Sequence, residues 1–121
     1  MSLPAYVVLV HDDPEFSQKA ATALRQAGYV VRDFSNALDA YEAMRESILP
    51  DLLITSVSFG QGQLHGVALA RMARFRSSKL RVLFIARSDF RDEAERLGAF
   101  ITMPVEVSVL LERVEQVLQQ R

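Results

Sequence analysis

Two adjacent carboxylates and one hydroxyl are the side chains of this sequence that are best suited to chemistry. Asp12 and Asp13 follow the apolar run at residues 5–10, and Ser56 lies near the end of another apolar run at residues 51–57. Carboxylate oxygens are the ligands that hard cations such as Mg²⁺ prefer. A serine hydroxyl is neutral at pH 7 and needs a base before it becomes a nucleophile. Asp12 and Asp13 are therefore candidate ligands of a weakly bound Mg²⁺, and no other cofactor is expected.

Alternative interpretations of this acidic corner remain open from the sequence. Asp13 precedes Pro14, and an Asp at the N-cap followed by Pro at the first helical position is typical of a helix start. On that interpretation Asp13 caps the first helix and Asp12 is a solvated loop residue. A further interpretation adds His11 and His65, which could bind a transition metal with the aspartates if the glycine-rich loop folds over them.

Strand-like runs alternate with helical patterns along the chain. Strands are predicted over residues 5–10, 29–34, 51–57, 81–86 and 99–102, and helices over residues 14–27, 37–47, 67–75, 89–97 and after residue 104. Continuous apolar runs are typical of parallel strands buried on both faces, whereas the alternation in residues 29–34 indicates an edge strand. This order predicts right-handed crossovers with helices on both faces. We expect a three-layer α/β/α sandwich of the flavodoxin-like type, with a five-stranded parallel sheet of order 2-1-3-4-5 and five helices.

The apolar periodicity of the helices predicts which residues they bury. The expected inward residues are Phe16, Ala20, Leu24 and Ala27 in the first helix, Leu38, Tyr41, Met44 and Ile48 in the second, Leu69, Met72 and Ala73 in the third, and Val107, Leu110, Leu111, Val114, Val117 and Leu118 in the last.

The sheet order also predicts where a site should lie. Ligands of open α/β sheets bind beyond the carboxyl ends of the strands, where the strand order reverses. In the order 2-1-3-4-5 this crevice lies between strands one and three, so Asp12 and Asp13 should face Ser56. Ala86 and Met103 end strands four and five at the same edge. Ser56→Ala is expected to change stability little, because the hydroxyl would border a solvated crevice.

Length and composition limit the class of protein. The 121 residues are 50% hydrophobic and include no cysteine, which predicts a single domain at residues 4–121 without disulfide bonds and fits a cytoplasmic location. No apolar run approaches the roughly 20 residues that span a bilayer, so no membrane partner is expected. The net charge of −1 does not indicate a nucleic-acid partner for this domain.

A local excess of positive charge lies between residues 71 and 87. Its cations stand in a stretch without Asp or Glu, and they are Arg71, Arg74, Arg76, Lys79, Arg81 and Arg87. One interpretation is a solvated helix face followed by a loop, and the other is a docking patch for an acidic partner.

Several segments together resemble the receiver domain of bacterial response regulators over nearly the whole chain. The matching pieces are residues 7–13 (VVLVHDD), 50–57 (PDLLITSV), 66 (G), 82–86 (VLFIA) and 98–104 (GAFITMP). The resemblance implies a CheY-like fold and a role in two-component, or phosphorelay, signal transduction. It also implies a protein partner, either a histidine kinase or another signalling protein.

The resemblance gives the acidic corner a specific meaning. In the family, two acidic residues after strand one and an aspartate at the end of strand three bind Mg²⁺, and that aspartate accepts a phosphoryl group. Asp12 and Asp13 match the acidic pair, while Ser56 stands at the acceptor position. Ser56 could be a natural inactive replacement, an engineered substitution or a slow acceptor.

Further positions match places that the family uses to sense phosphorylation. Ala86 stands where the family has a hydroxyl, and Met103, just before Pro104, stands where it has a lysine. Phe100 stands at the position of a switch aromatic, unless it is simply a core residue. Arg87 could replace the lysine charge by pairing with the acidic pair, or it could point outward from its loop.

The departures at Ser56, Ala86 and Met103 favour a phosphorylation-independent pseudo-receiver that binds another protein. The alternative is an active phosphorelay receiver with an unusual or mutated acceptor at Ser56. No Gly-x-Ser-x-Gly elbow, phosphate-binding loop or dinucleotide fingerprint occurs, so no enzyme is expected.

Receivers usually bind partners and dimerise through helix four, strand five and helix five, so a homodimer is a further expectation. The segment 56–66 looks long and the fourth helix looks short for the family.

Overall fold

The computed structural model describes residues 3–119, which form one parallel sheet with helices on both faces. The strands are β1 (Tyr6–Val10), β2 (Val30–Phe34), β3 (Leu52–Thr55), β4 (Arg81–Ala86) and β5 (Ala99–Thr102). The helices are α1 (Pro14–Gln26), α2 (Ala37–Glu46), α3 (Gly66–Arg76), α4 (Arg91–Ala94) and α5 (Val107–Gln119), and a 3₁₀ turn at Ser88–Phe90 precedes α4. The strand order is β2-β1-β3-β4-β5, which confirms the predicted flavodoxin-like fold and places β2 at the edge.

Two apolar clusters, one on each side of the sheet, hold the layers together. On one side α1 and α5 cover the sheet with Leu24, Leu110 and other apolar side chains. On the other side α2 and α3 do so with Met44, Leu69 and their neighbours. Because the central strands are covered on both faces, their residues are apolar almost without interruption.

Side-chain caps fix where the first three helices begin. The Asp13 carboxylate accepts the backbone N–H groups of Glu15 and Phe16 at 3.0 and 3.3 Å. The Asn36 side chain caps α2 in the same way, and the His65 ring caps α3 by accepting the N–H of Val67 at 3.3 Å. Each cap satisfies a backbone donor that the first helical turn leaves without an internal partner.

The predicted apolar stripe of α2 is confirmed at Met44, which is buried, and at Tyr41, which packs against the core, but it is wrong at Leu38 and Ile48. Leu38 is 54% exposed and Ile48 is 82% exposed, while Ala37, Ala40 and Met44 face the sheet. The helix ends at residue 46, so the helical spacing does not extend to Ile48. The buried face is instead built mainly of alanines, which let the helix lie close to the sheet.

Two other inward-facing predictions are also corrected. Met72 is only half-buried, because Val67, Leu69, Ala70 and Ala73 turn the inner face of α3 away from it. Ala27 is exposed, since α1 has already ended before it and Gly28 takes a positive φ of 100° that turns the chain.

The fourth helix is shorter than the predicted residues 89–97. Only Ala94 of α4 is buried, and its carbonyl accepts the N–H groups of Leu97 and Gly98, which close the helix. A Cβ atom at Gly98 would collide with the carbonyl oxygen of Val82, so the chain packs tightly against β4 at this point. The tight approach leaves no room for a longer helix.

The helices of this fold are short, and the fold extends to the end of the described chain. Within residues 3–119, none of the helices has the length and apolarity that crossing a bilayer requires. The predicted domain ends at residue 121, and its last two residues lie outside the described part of the chain.

Candidate functional site

An open crevice of about 570 Å³ lies at the carboxyl ends of β1, β3, β4 and β5. Its lining includes Asp12, Asp13, Ser56, Ala86 and Met103, which therefore lie at one edge of the sheet. They share this edge because parallel strands all end on the same side.

The Ser56 hydroxyl makes two hydrogen bonds, and both of them are to Asp12. It donates to the Oδ1 atom of Asp12 at 2.8 Å and accepts the Asp12 backbone N–H at 2.9 Å. Ser56 is only 2% exposed. Ser56 lines the crevice as expected, but it is almost completely buried there. Its hydroxyl joins the ends of β1 and β3, assisted by the bond from the Ser56 N–H to the Val10 carbonyl at 2.9 Å.

The two aspartates have different surroundings. The Asp12 side chain is 53% exposed and holds the Ser56 hydroxyl. Asp13 is exposed and caps α1, so the helix-cap interpretation describes its geometry. Between residues 3 and 119, no three His, Asp or Glu side chains are grouped so that they could hold a metal ion. The alternative interpretation of a transition-metal cluster with His11 and His65 is therefore not supported in this part of the chain.

His11 is a buried structural residue that sequence reasoning treated only as a metal ligand. Its Nδ1 atom accepts the Asp13 N–H at 3.1 Å, so Nε2 carries the proton that is donated to the Ile85 carbonyl at 3.2 Å. Burial lowers the pKa of His11, and the nearby Asp12 carboxylate raises it by less. The ring is therefore neutral near pH 7, and neither of its nitrogens is free to activate Ser56.

Arg87 does not pair with the acidic pair. It binds Asp89 with both ends of its guanidinium, Nε to Oδ1 at 3.2 Å and Nη2 to Oδ2 at 2.6 Å, and its side chain is 77% exposed. A bidentate partner two residues away satisfies the planar guanidinium locally. No Lys or Arg between residues 3 and 119 forms an ion pair with Asp12 or Asp13.

Ala86 and Met103, at the ends of β4 and β5, bring neither a charge nor a hydroxyl into the crevice, although Arg87, directly after β4, is among its lining residues. The Met103 N–H donates to the Ala86 carbonyl at 2.9 Å, which joins the two strand ends. Ala86 is 8% exposed and Met103 packs partly against the core on the α1 and α5 side. Pro104 follows through a cis peptide bond and is exposed.

Phe100 is a core residue held under an arginine that the sequence analysis did not single out. It is 1% exposed, and the Arg91 guanidinium carbon lies 4.9 Å from its ring centroid. Arg91 also donates to the Thr102 hydroxyl at 2.9 Å and to the Glu95 carboxylate at 3.0 Å. The four-residue spacing of Arg91 and Glu95 on a predicted helix could have revealed their ion pair, but not the contact of Arg91 with Phe100.

The long loop before α3 forms one wall of the crevice. Phe59 of this loop and Phe90 of the 3₁₀ turn both line the crevice. Gly66 begins α3 directly against β3, where a Cβ atom would collide with the Ser56 carbonyl oxygen. Only glycine allows this approach, so Gly66 positions the backbone on which Ser56 sits.

A parallel sheet of this order with an acidic crevice between β1 and β3 defines a receiver-type α/β domain. The chain matches the family model of the response regulator receiver domain over residues 7–115, and it therefore belongs to this family. It is thus a receiver domain of two-component signalling, a class that interacts with signalling proteins such as histidine kinases and is generally not catalytic.

Solved structures agree with this assignment. The receiver domain of the hybrid histidine kinase CckA is 29% identical, with 94% of this chain and 99% of that chain covered and a TM-score of 0.79. The chemotaxis response regulator CheY4 of Vibrio cholerae is 21% identical, with 94% and 98% covered and a TM-score of 0.84. A response regulator receiver protein from Sinorhizobium medicae WSM419 is 20% identical, with 95% and 94% covered and a TM-score of 0.84. The search of curated proteins found no match.

Proposed function

We propose that this chain is a pseudo-receiver, a single domain at residues 4–121 that binds another signalling protein without being phosphorylated and has no enzymatic activity of its own. The proposal rests on the hydrogen bond that the Ser56 hydroxyl donates to Asp12 at 2.8 Å. By resemblance, Ser56 stands at the position where the family has an acceptor carboxylate. Its expected partner is a histidine kinase or another protein of a two-component pathway.

The chemistry of phosphoryl transfer explains why this arrangement is unfavourable. An acceptor must attack phosphorus with an available lone pair, and a neutral hydroxyl needs a base to become nucleophilic. His11 is neutral, and both of its nitrogens are already hydrogen-bonded. A phosphoryl group at Ser56 would also remove the proton that the hydroxyl donates to Asp12 and would place negative charge beside that carboxylate.

Charge at the crevice supports the same conclusion. Transferring phosphoryl groups are stabilised by cations and by hydrogen-bond donors aimed at their oxygens. By resemblance to the family, Ala86 replaces the hydroxyl and Met103 replaces the lysine that would do this. Arg87 also lines the crevice, but its guanidinium is paired with Asp89 and not with Asp12 or Asp13.

The two remaining carboxylates suit only a weak Mg²⁺ site. Mg²⁺ is held in proteins by one or two carboxylates while it keeps several waters. Asp12 and Asp13 supply these two groups, although Asp12 already accepts the Ser56 hydroxyl and Asp13 caps α1. When bound, Mg²⁺ would neutralise part of their negative charge.

One observation favours the alternative of slow transfer to Ser56. The Asp12 carboxylate accepts the hydroxyl proton at 2.8 Å and could act as a base for it. Among residues 3–119, however, Asp12 is the only group that contacts this proton, and no Lys or Arg pairs with the crevice carboxylates to draw in a phosphoryl donor, so this route would be slow.

Incubation with acetyl phosphate and Mg²⁺, followed by intact-mass measurement, separates the two functions. A pseudo-receiver shows no added phosphoryl group, whereas stoichiometric phosphorylation of the unmodified chain that is lost in Ser56→Ala would establish the alternative. Ser56→Asp refines the result. If this variant also stays unmodified, Ala86 and Met103 are sufficient to silence the site.

A further inference from the structure

Helix α3 has a second apolar stripe that is partly covered along its length and ends at an exposed phenylalanine. Its inner face, with Leu69, Ala70 and Ala73, is buried against the sheet. Ala68, Met72 and Phe75 follow one another at the i, i+4 and i+7 spacing of a single helical stripe on the opposite side. Ala68 and Met72 are half-buried, and Phe75 is 92% exposed. A helix with apolar residues on two opposite sides is expected to be covered on both.

Uncompensated positive charge surrounds this stripe. Residues 52–88 contain no Asp or Glu. Between residues 3 and 119, no acidic side chain forms an ion pair with Arg71, Arg74, Arg76 or Lys79. We call the stripe and its nearest cation, Ala68, Arg71, Met72 and Phe75, the α3 face.

Two of the surrounding arginines are anchored by backbone carbonyls. The Nε atom of Arg74 donates to the Leu80 carbonyl at 3.1 Å, and Arg76 donates to the Met44 carbonyl at the end of α2. Bonds to neutral carbonyls hold these side chains in place without cancelling their charge. The positive field beside the α3 face is therefore fixed in position before any partner arrives.

We propose that the α3 face is a docking site for an acidic amphipathic helix of a partner protein. The partner's apolar residues would cover Met72 and Phe75, and its carboxylates would meet Arg71 and the cations near it. Aromatic residues, Met and Arg are the residue types enriched at protein interfaces. The stripe from Ala68 to Phe75 covers about two turns of this 11-residue helix, or roughly 10 Å, which is enough for a partner helix to cross it.

A protein helix fits this face better than a lipid surface does. Membrane-surface helices bury a long, strongly apolar face, and their attraction to anionic lipids adds to that burial. The α3 face has one large exposed side chain, Phe75, on a helix whose inner face is already buried against the sheet. One large exposed side chain offers little apolar area for insertion into a bilayer, whereas it can pack between the side chains of a partner helix.

Docking at the α3 face does not depend on the phosphorylation of Ser56. The face lies on the outside of α3, and none of its four residues lines the crevice. Failure of docking would therefore leave the proposed pseudo-receiver function intact, and phosphorylation of Ser56 would leave docking intact.

The test is a titration of the full chain with a synthetic helical peptide that carries leucine on one face and glutamate elsewhere. Amide chemical shifts should move around Arg71, Met72 and Phe75, and added salt should weaken the binding. Phe75→Ala and Arg71→Glu should each raise the Kd about tenfold, the effect expected for an anchor residue of an interface. Both residues are exposed, so both variants should keep the denaturation midpoint of the unmodified protein.

Matched controls make the result specific. Ile48→Ala removes an equally exposed apolar side chain elsewhere, and Arg96→Glu reverses an exposed charge on another surface, so both should leave the Kd unchanged. Equal binding of a peptide with lysine in place of glutamate, or shifts outside the α3 face, would overturn the proposal. So would binding to phosphatidylglycerol vesicles in preference to the peptide, or self-association through this face in sedimentation.

Discussion

The interior of the sheet and the carboxyl ends of its strands differ in how far they keep the pattern of the receiver family. The interior is a continuous apolar core, with Leu9, Ile54 and Leu83 fully buried. At the strand ends, the proposed function assigns Ser56 and Ala86 to positions where the family has reactive or sensing groups. The difference teaches that the fold depends on the core, while phosphoryl chemistry depends on a few strand-end side chains that can change separately.

The largest effect on stability is expected from a substitution in the core. Leu110→Ala should lower the free energy of unfolding by about 2–5 kcal/mol, because a fully buried leucine leaves a cavity. Leu38→Ala is the matched control, since this leucine lies on α2 and is 54% exposed, and it should have little effect. Denaturant titration measures both, and equal losses would contradict the assignment of the core.

A smaller effect is expected at the strand ends. Ser56→Ala should cost about 1–2 kcal/mol, because it leaves the Asp12 backbone N–H without its 2.9 Å partner. Ser58→Ala is the control, because Ser58 is exposed in the following loop. If the two variants unfold at the same denaturant concentration, the Ser56 hydroxyl does not hold β1 and β3 together.

The smallest expected effect is a dependence of stability on pH. Burial lowers the pKa of His11 below its ordinary value of 6.5 in the folded state. As the pH falls from 6.5 toward the folded pKa, the unfolded chain binds more protons than the folded chain, so the free energy of unfolding should fall. Below the folded pKa, the stability that the neutral His11 ring contributes at higher pH is fully lost.

The control for this pH dependence is His11→Gln. The variant lacks the titrating ring, so its stability should change less steeply with pH over the same range. Identical slopes for the two proteins in urea titrations at several pH values would show that His11 is not the group responsible.

Much of the fold could be predicted because a buried parallel strand has a local signature. Strands β4 and β5 match their predicted ranges at both ends, since each is an apolar run bounded by polar or turn residues. The length of α4 could not be predicted, because it depends on the contact of Gly98 with the Val82 carbonyl, far away in sequence.

The site was less predictable than the fold for the same physical reason. Topology brought Asp12 and Ser56 to one edge of the sheet, but their hydrogen bonds and the burial of Ser56 depend on the distance between two strand ends. Arg87 could have paired with Asp12, Asp13 or Asp89, and sequence spacing alone does not show that it pairs with Asp89. The shielding of Phe100 by Arg91 likewise needs the tertiary structure.

The most direct measurement of the central claim compares the unmodified chain with the combined variant Ser56→Asp, Ala86→Thr and Met103→Lys. Both are incubated with acetyl phosphate and Mg²⁺, and their intact masses are recorded over time. If strand-end chemistry alone silences this receiver, the variant gains one phosphoryl group and the unmodified chain gains none. Phosphorylation of the unmodified chain, or a folded variant that stays unmodified, would contradict the account.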